Sequence, residues 1–264
     1  MIKLIVSDID GTLVPTGGRL PSPELTKILT KYLDAGTVIA LASGRPLSGL
    51  INLFPTLRSR LVYICCNGAY IVQGSKTISI SPLAPGRDFK ALIRILRGLH
   101  YNFMVDTTET TLMETSVSDE VYRTITESGI QVKIVPDITK APLTALKVTV
   151  SCLGNPMKLM SHPQIAQLRD QYTLVVTAEH YFDIIRKDVD KGSAVREVQQ
   201  RFLIQPEETI VFGDAMNDVS MFFTTPNSYA VENAPETVRI QAAHLVMGPE
   251  SDGVVKCLDS FLLK

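Results

Sequence analysis

What limits the possible folds of this chain is a series of short, almost uninterrupted apolar segments with amphipathic segments between them. Residues 2–7, 37–42 and 61–66 are apolar and of strand length, whereas residues 23–35 have leucine and isoleucine at helical spacing. Strands that are apolar throughout are typical of a parallel sheet covered by helices on both faces. The repeated order of strand, helix and strand therefore predicts an α/β fold with a parallel-sheet core.

Further elements at both ends of the chain belong with this core. Residues 46–53 are predicted to begin a helix, and residues 68–80 have two apolar stretches around a Gln-Gly-Ser turn, which is typical of a hairpin. A proline-rich connection follows at residues 81–86. After residue 187 the alternation returns, with helices predicted at residues 192–202 and 217–223 and from residue 235, and strands at residues 209–212 and 229–231.

The middle of the chain has a different pattern. Its predicted helices and strands are mixed rather than alternating, which favours an α+β arrangement with a largely antiparallel sheet. The helices are predicted at residues 88–99, 119–127 and 156–171, and the strands at residues 101–106, 112–115, 143–151, 174–177 and 181–185. We therefore predict a core built from residues 1–82 and 187–264, into which residues 83–186 insert a smaller α+β domain.

The composition excludes several classes of protein. The formal net charge is -1 at pH 7, so bulk electrostatics does not draw the chain to nucleic acid. No apolar run reaches about 18 residues, and we expect no membrane span. The four cysteines form no Cys-x-x-Cys pair, which predicts reduced core thiols rather than a zinc site or a disulfide framework. The chain is therefore expected to be cytoplasmic, without nucleic-acid or membrane partners.

Two carboxylates lie directly after the first predicted strand, in the sequence DIDGT at residues 8–12. The carboxyl end of a parallel strand is where such sheets bind ligands. Crowded carboxylates repel each other unless a proton or a cation intervenes, and Mg²⁺ prefers oxygen ligands while it keeps waters for a substrate phosphate. A tight Asp-Gly turn is the alternative, purely structural explanation. The pattern favours a magnesium site at Asp8 and Asp10.

A second acidic cluster, GDAMND at residues 213–218, follows another predicted apolar strand. If this strand neighbours the first, Asp214 can join Asp8 around one metal ion, and Asp218 can orient a ligand or a water. Asn217 can contribute an amide to the substrate. Helix capping is the alternative explanation, because Asp and Asn satisfy free N–H groups at helix starts. Both explanations can hold at once.

Two further sites can hold a phosphate. The Ser43 hydroxyl follows a predicted strand and precedes the helix expected from residue 46, and the free N–H groups at such a helix start favour an anion. The alternative is that Ser43 only caps that helix. Lys191 stands just before another predicted helix. A lone lysine in a loop is usually solvated, but here its ammonium can reach a phosphate oxygen.

Together these motifs resemble those of the haloacid dehalogenase-like superfamily, in its Cof-type branch of sugar phosphatases (subfamily IIB). The resemblance covers essentially the whole chain, and the motifs occur in the family's order. They are DIDGT at residues 8–12, SGR at 43–45, KG at 191–192 and GDAMND at 213–218, with CNG at 66–68 as a further family-like feature. The resemblance implies a Rossmann-like parallel-sheet core with an inserted α+β cap domain of the C2B type.

The resemblance also implies roles by position. Asp8 is the expected nucleophile that becomes phosphorylated, and Asp10 is the expected general acid that then activates water. Ser43 and Lys191 are expected to bind the phosphate. The implied magnesium residues are Asp8, Asp10 (through its backbone carbonyl), Asp214 and Asp218, and the implied substrate-binding residues are Gly44, Arg45, Asn67 and Asn217.

The implied function is a Mg²⁺-dependent phosphatase that hydrolyses small phosphate monoesters, either sugar phosphates or phosphorylated cofactors, through an aspartyl-phosphate. The cap would select the leaving group. Close to the return into the core it carries His180, Tyr181, Asp183 and Arg186, of which one or more are expected to line the pocket.

Two alternatives stay open at this point: a phosphosugar mutase, and a catalytically silent regulatory or binding module of the same fold. A silent module usually lacks the nucleophile or a metal ligand, whereas Asp8, Asp10, Lys191 and Asp214 are all present. The expected partner is a small phosphorylated metabolite, and both a monomer and a homodimer are compatible with the sequence.

Overall fold

The structure is a computed structural model that describes residues 1–16, 20–83, 86–152 and 155–262. Within these residues, fourteen strands and nine α-helices form two sheets with their covering helices. The strands are β1 (Leu4–Ser7), β2 (Val38–Ala42), β3 (Val62–Cys65), β4 (Tyr70–Gln73), β5 (Lys76–Ile80), β6 (Asn102–Thr107), β7 (Thr111–Glu114), β8 (Val132–Val135), β9 (Ala145–Ser151), β10 (Tyr172–Ala178), β11 (Tyr181–Arg186), β12 (Thr209–Gly213), β13 (Asn227–Val231) and β14 (His244–Val246). The helices are α1 (Pro23–Asp34), α2 (Arg87–Gly98), α3 (Asp119–Glu127), α4 (Pro156–Met160), α5 (Pro163–Ala166), α6 (Lys191–Phe202), α7 (Val219–Phe222), α8 (Glu236–Arg239) and α9 (Gly253–Leu262).

The eight-stranded sheet has the order β14-β13-β12-β1-β2-β3-β4-β5, with β1 near its centre. The strands from β14 to β3 in this order pair in parallel. The remaining two, β4 and β5, form an antiparallel hairpin at the edge. The predicted parallel α/β core is therefore confirmed, and so is the hairpin expected at residues 68–80.

Helices cover both faces of this sheet because its strands are apolar on both sides. Leu4 and Val6 of β1 lie in a buried cluster with residues of α6 and α7, whereas Ile5 lies in a second cluster with residues of α1 and α9. The Tyr32 hydroxyl of α1 donates a hydrogen bond to the Leu258 carbonyl of α9 at 2.8 Å, which ties these two helices together. All four cysteines are reduced thiols, as predicted, and three of them are buried.

The six-stranded sheet has the order β10-β11-β9-β6-β7-β8 and is antiparallel except between β7 and β8. This confirms the largely antiparallel sheet expected for the middle of the chain. Side chains alternate along a strand, so Phe103 and Val105 of β6 pack in an apolar cluster with α2, α4 and α5, whereas Met104 and Asp106 lie on the opposite face. The proposed domain boundaries, near residues 82 and 187, stay a prediction.

Two helix predictions were wrong in their extent, each next to a proline. Within the described residues 46–53, only a 3₁₀ turn forms, at Leu47–Gly49, and Pro55 disfavours helical backbone at the residue before it. The helix expected at residues 156–171 is divided into α4 and α5, because Pro163 has no N–H and holds His162 in an extended conformation with ψ 131°.

The sequence patterns also missed or overstated some peripheral elements. The helices expected at residues 217–223 and from residue 235 are single turns, α7 and α8. Strands β8 and β14 were not predicted, because they are short and carry exposed residues that weaken an apolar pattern. Helix α9 was also missed, although its apolar residues recur at helical spacing and bury Val254 and Leu258.

Candidate active site

The predicted site residues converge at one edge of the eight-stranded sheet. Asp8 follows β1, Ser43 follows β2, Asn67 lies just after β3, and Asp214 follows β12. These four strands are neighbours and run in parallel, so their carboxyl ends lie at the same edge. The fold therefore brings together residues that are up to about two hundred positions apart in the sequence.

Lys191 joins this group from the first turn of α6. The helix begins there because Asp190 caps it. The Asp190 carboxylate accepts the Ser193 N–H at 2.6 Å, and the Ser193 hydroxyl accepts the Asp190 N–H at 3.0 Å. The Lys191 ammonium donates to Asp8 Oδ1 at 2.5 Å and to Asp218 Oδ1 at 2.6 Å, and its side chain is only 1% exposed. Burial by itself lowers the pKa of Lys191, but the carboxylates of Asp218 and Asp8 outweigh this and raise it. The ammonium is therefore a fixed positive charge beside Asp8.

Asp218 organises the loop after β12 and has no exposed surface. Its second oxygen, Oδ2, accepts the backbone N–H groups of Asp214 at 3.0 Å and Ala215 at 2.9 Å. Its first oxygen is held by Lys191. Both oxygens are thus engaged, so Asp218 positions the Asp214 loop and the lysine at the same time.

Three carboxylates meet at this point and form the acidic cluster: oxygens of Asp8, Asp214 and Asp218 all lie within 4.8 Å of one another. Burial raises the pKa of Asp8 well above its ordinary value, and the nearby Asp218 raises it further, against the opposing effect of Lys191. The same two causes raise the pKa of Asp214 to about 6, although the Thr12 hydroxyl donates to Asp214 Oδ1 at 2.7 Å.

The acidic cluster suits a divalent cation. Lys191 supplies one positive charge for three carboxylates, and burial together with the neighbouring Asp218 raises the pKa values of Asp8 and Asp214. The donors are all oxygens, which Mg²⁺ prefers. Both Asp218 oxygens are already engaged, so Asp8 and Asp214 are the first side chains that would hold the ion, and the expected magnesium role of Asp218 stays a prediction.

The Asp10 side chain lies apart from the acidic cluster. Arg45 binds it with two bonds, Nε to Oδ2 at 2.8 Å and Nη2 to Oδ1 at 2.5 Å. The carboxylate therefore lies on the cavity side, paired with the guanidinium. The sequence-based expectation that Asp10 binds magnesium concerned its backbone carbonyl and stays a prediction.

The loop that follows β2 is built differently from the expectation. The Ser43 hydroxyl accepts the Arg45 N–H at 3.1 Å, and only the short 3₁₀ turn follows. A helix N-terminus therefore does not contribute to a phosphate site here, which corrects that part of the sequence-based argument. Ser43 and Gly44 nevertheless line the same cavity as Asp8 and Asp10.

Asn67 and Asn217 connect the two sheets. Asn67 is buried and has left-handed backbone with φ 55°. Its Oδ1 accepts the Asn217 amide at 3.0 Å, and its Nδ2 donates to Asp183 Oδ2, on β11 of the six-stranded sheet, at 2.8 Å. The Asn67 amide predicted to bind substrate is thus already engaged between the sheets.

A cavity of about 310 Å³ lies between this edge and the polar face of the six-stranded sheet. Of the four residues singled out near the end of the middle domain, Tyr181 and Asp183 line it, whereas His180 and Arg186 are not among its lining residues. The lining residues are Asp8, Asp10, Thr16, Ser43, Gly44, Arg45, Pro46, Met104, Asp106, Ile125, Ile130, Lys147, Thr149, Thr177, Tyr181, Asp183, Ala215 and Asn217.

Sequence reasoning missed Asp106, Lys147 and Thr149, which face this cavity from β6 and β9. Lys147 is buried and contacts Asp106 Oδ2 at 3.2 Å, Asp183 Oδ2 at 3.0 Å and the Gly44 carbonyl at 2.7 Å. The available signal was a charged residue in an otherwise apolar strand: Lys147 and Thr149 alternate with Leu146, Val148 and Val150. Such a charge needs a buried partner.

Comparison with known proteins agrees with this arrangement. A family model described as haloacid dehalogenase-like hydrolase matches residues 5–258. The 5-amino-6-(5-phospho-D-ribitylamino)uracil phosphatase of Escherichia coli is 22% identical over 262 residues, covering 99% of this chain and 96% of the relative. The pyridoxal phosphate phosphatase of the same organism is 22% identical over 272 residues, covering 99% of this chain and 99% of the relative.

A solved structure from Eubacterium rectale has the same fold, with a TM-score of 0.89 and 28% identity over 98% of this chain and 99% of that one. In the described part of this chain, every helix is too short or too polar to traverse a bilayer.

Proposed function

The chain belongs to the haloacid dehalogenase-like hydrolases and is a phosphatase of that family, and from this premise we propose that it hydrolyses small phosphate monoesters with Mg²⁺ through a phosphoaspartate on Asp8. The observation that carries the proposal is the position of Asp8. Its carboxylate lies at the cavity, bonded to the buried Lys191 and adjacent to Asp214. A carboxylate nucleophile, a fixed cation and a set of oxygen donors are what this reaction requires.

The residues of this chain then divide the work as follows. An Asp8 oxygen attacks phosphorus, the P–O ester bond breaks, and the leaving oxygen takes a proton from Asp10. Asp10 next removes a proton from water, which hydrolyses the phosphoaspartate to inorganic phosphate and restores Asp8. Lys191 and Ser43 stabilise the phosphoryl oxygens. Magnesium bound at Asp8 and Asp214 supplies the positive charge that neutralises the incoming phosphate.

The pair of Arg45 and Asp10 supports the position of the acid, and Arg45 must release the carboxylate before Asp10 can carry the proton that it donates. The pair holds the Asp10 carboxylate on the cavity side, away from the acidic cluster. An acid that serves the leaving group must lie where the leaving group enters rather than beside the metal. Gly44, Asn67 and Asn217 then shape the loops around the phosphate rather than contact it through free side chains.

The proposal extends to the middle of the chain and to the substrate. Residues 83–186 act as a cap over residues 1–82 and 187–264, because the six-stranded sheet closes the cavity opposite Asp8. The substrate is a small phosphorylated metabolite. Two relatives carry the names of phosphatases for a ribitylaminouracil phosphate and for pyridoxal phosphate. The protein acts in the cytoplasm, without nucleic-acid or membrane partners.

The test is the release of inorganic phosphate from a panel of sugar phosphates, pyridoxal phosphate and nucleotides, with and without Mg²⁺. Wild type is expected to release phosphate only with the metal. Asp8→Asn is expected to lose at least about a thousandfold in kcat, because the amide cannot form the phosphoaspartate.

The matched control is Asp170→Asn, which makes the same change at an exposed position and is expected to keep full activity. Phosphate release that survives in Asp8→Asn would refute the assigned nucleophile. Isomerised phosphosugar with little free phosphate would instead identify a mutase, and silence on every substrate by a folded, Mg²⁺-binding protein would identify a binding module.

A further inference from the structure

The wall of the cavity on the side of the six-stranded sheet is partly apolar. Met104 from β6, Ile125 from α3 and Ile130 after α3 line it, together with Pro46 of the eight-stranded side. Met104 and Ile125 belong to a separate apolar cluster that also contains Met113 and packs against Ile130 and Tyr181. We call the residues Met104, Ile125, Ile130 and Pro46 the apolar wall.

The charged residues next to the apolar wall are already paired with one another. The Lys147 ammonium has three protons and contacts three oxygens, those of Asp106, Asp183 and Gly44. Asp183 also accepts from Thr149 at 2.7 Å and from Asn67, and Asp106 accepts from the Thr111 hydroxyl at 2.6 Å. These side chains are at most 6% exposed. A leaving group that displaced one of these contacts would break a buried ion pair or hydrogen bond, which is costly.

Few polar groups remain for a leaving group. Among the described lining residues, the hydroxyls of Thr16, Thr177 and Tyr181 make no hydrogen bond within the protein. Both cations of the lining, Lys147 and Arg45, are bonded to carboxylates. A sugar with more hydroxyls than these would therefore leave some of them without a protein partner, and a second anionic group would find only cations that carboxylates already neutralise. An unpaired buried polar group is costly.

The apolar wall also has fixed support on the eight-stranded side. The Gln131 N–H donates to the Ser48 hydroxyl at 3.3 Å, and Ile130 Cγ1 lies 3.2 Å from where a Cβ of Gly49 would be. The volume of about 310 Å³ is at the small end for ligand cavities, which run from about 300 to 1,000 Å³. The space beside Asp8 therefore suits a small group with an apolar face.

We propose that this site selects phosphate monoesters whose leaving group is a small, uncharged alcohol with a flat apolar face and few hydroxyls, such as an arylmethyl alcohol. The inference rests on the proposed function, because it assumes that the phosphate lies at Asp8. The alcohol, which the apolar wall contacts, leaves with a proton when Asp8 takes the phosphoryl group, and water then hydrolyses the phosphoaspartate to inorganic phosphate. Met104 is the residue that determines this specificity, because it is the apolar side chain on the same face of β6 as Asp106.

The first experiment measures binding without turnover. Benzylphosphonate and methylphosphonate, whose C–P bonds resist hydrolysis, are titrated by calorimetry into the protein with Mg²⁺ present. Benzylphosphonate is expected to bind at least about tenfold more tightly, with a more negative heat-capacity change from apolar burial. Met104→Gln is expected to reduce the difference to less than about threefold, and Ile130→Thr provides a second, milder variant.

The matched control is Met157→Gln, which changes a methionine that is 57% exposed on α4 and should leave the preference intact. Equal affinities of the two phosphonates for wild type would overturn the inference. So would a preference that Met104→Gln and Ile130→Thr both retain while they keep the wild-type melting temperature.

The second experiment separates this inference from the proposed function. Benzyl phosphate and glucose 6-phosphate are both esters of primary alcohols, and kcat/KM is expected to be at least about tenfold higher for benzyl phosphate. If glucose 6-phosphate is hydrolysed as well or better, the inference fails and the proposed function stands. If neither ester nor any other phosphate is hydrolysed with Mg²⁺, the proposed function fails, and the inference fails with it.

Discussion

At the scale of single residues, the site depends on buried charges that are stable only because they are paired with one another. Lys191 is fully buried, and two carboxylates supply its partners. Removing one partner of a buried ion pair typically costs about 3–5 kcal/mol, because the other charge is left unpaired. The charge excess of the acidic cluster persists even with the lysine in place, and it is this excess that a cation would relieve.

The raised pKa of Asp214 predicts that replacing this residue stabilises the metal-free protein but weakens metal binding. The folded-state pKa is about 6, against an ordinary value of 3.8, so the folded protein disfavours the carboxylate. This penalty is absent below about pH 3.8, grows through the interval and is complete above pH 6. Asp214→Asn is therefore expected to stabilise the metal-free protein at pH 7.5, by about 1 kcal/mol, and progressively less as the pH falls to 4.

Thermal melting from pH 4 to 8, with and without Mg²⁺, measures both effects. Mg²⁺ should raise the melting temperature of wild type at pH 7.5 and less so below pH 6, where a proton competes for Asp214; it should not raise that of Asp214→Asn. The exposed Asp170→Asn serves as the control. A variant that is less stable than metal-free wild type at pH 7.5 would contradict the assigned charge excess.

At the scale of elements, the site depends on how closely α6 approaches its neighbours. Lys191 can reach Asp8 only because the first turn of α6 packs against α7, where the Ser220 hydroxyl accepts the Gly192 N–H at 3.0 Å. A Cβ at Gly192 would lie 2.2 Å from the Ser220 carbonyl oxygen. This contact with backbone leaves no room for a side chain.

Gly192→Ala is accordingly expected to push α6 outward. The free energy of unfolding should fall by about 2 kcal/mol, as overpacking usually costs, and kcat should fall because Lys191 moves away from Asp8. Urea unfolding and phosphate release measure the two effects. Gly98→Ala is the control, since Gly98 ends α2 with nothing within 4 Å of its Cβ position, and it should leave both unchanged. Equal stability of Gly192→Ala and wild type would refute the close approach.

At the scale of the whole molecule, the two sheets are joined by a chain of polar contacts through the site. Asn217 bonds to Asn67, Asn67 to Asp183, and Lys147 links Asp183 to the Gly44 carbonyl. The contacts join the loops after β2, β3 and β12 to the six-stranded sheet. The position of the six-stranded sheet is therefore coupled to the loops that surround Asp8.

Asn67→Gly tests this coupling, because glycine keeps the left-handed backbone at φ 55° and removes only the side chain. Hydrogen exchange should become faster in β11 and in the loop after β2, and kcat/KM should fall by about tenfold while the melting temperature changes little. Asp188→Gly, at an exposed residue with φ 69°, is the control. Unchanged exchange in Asn67→Gly would show that the sheets are held together elsewhere.

The sequence by itself determined those helices, strands and site residues whose position depends on a local pattern. Apolar strands and helical spacing predicted the parallel core. The motifs at the ends of β1, β2 and β12 and at the start of α6 predicted the set of Asp8, Ser43, Asp214 and Lys191. The end of a strand fixes the edge of the sheet at which the next residue lies, which places Asp8, Ser43 and Asp214 at one edge. Prolines divided or shortened helices in ways that the apolar pattern did not register.

The tertiary structure alone decided which partners these residues have. Strand order puts β12 beside β1 and so brings Asp214 to Asp8. The packing of the six-stranded sheet against the edge pairs Lys147 with Asp183 and places Met104 at the cavity. Such contacts join positions far apart in the chain, and no local periodicity encodes them. Folding removes the charged partners from water, and a buried charge is costly unless it is paired. These contacts therefore stabilise the protein only once the chain has folded.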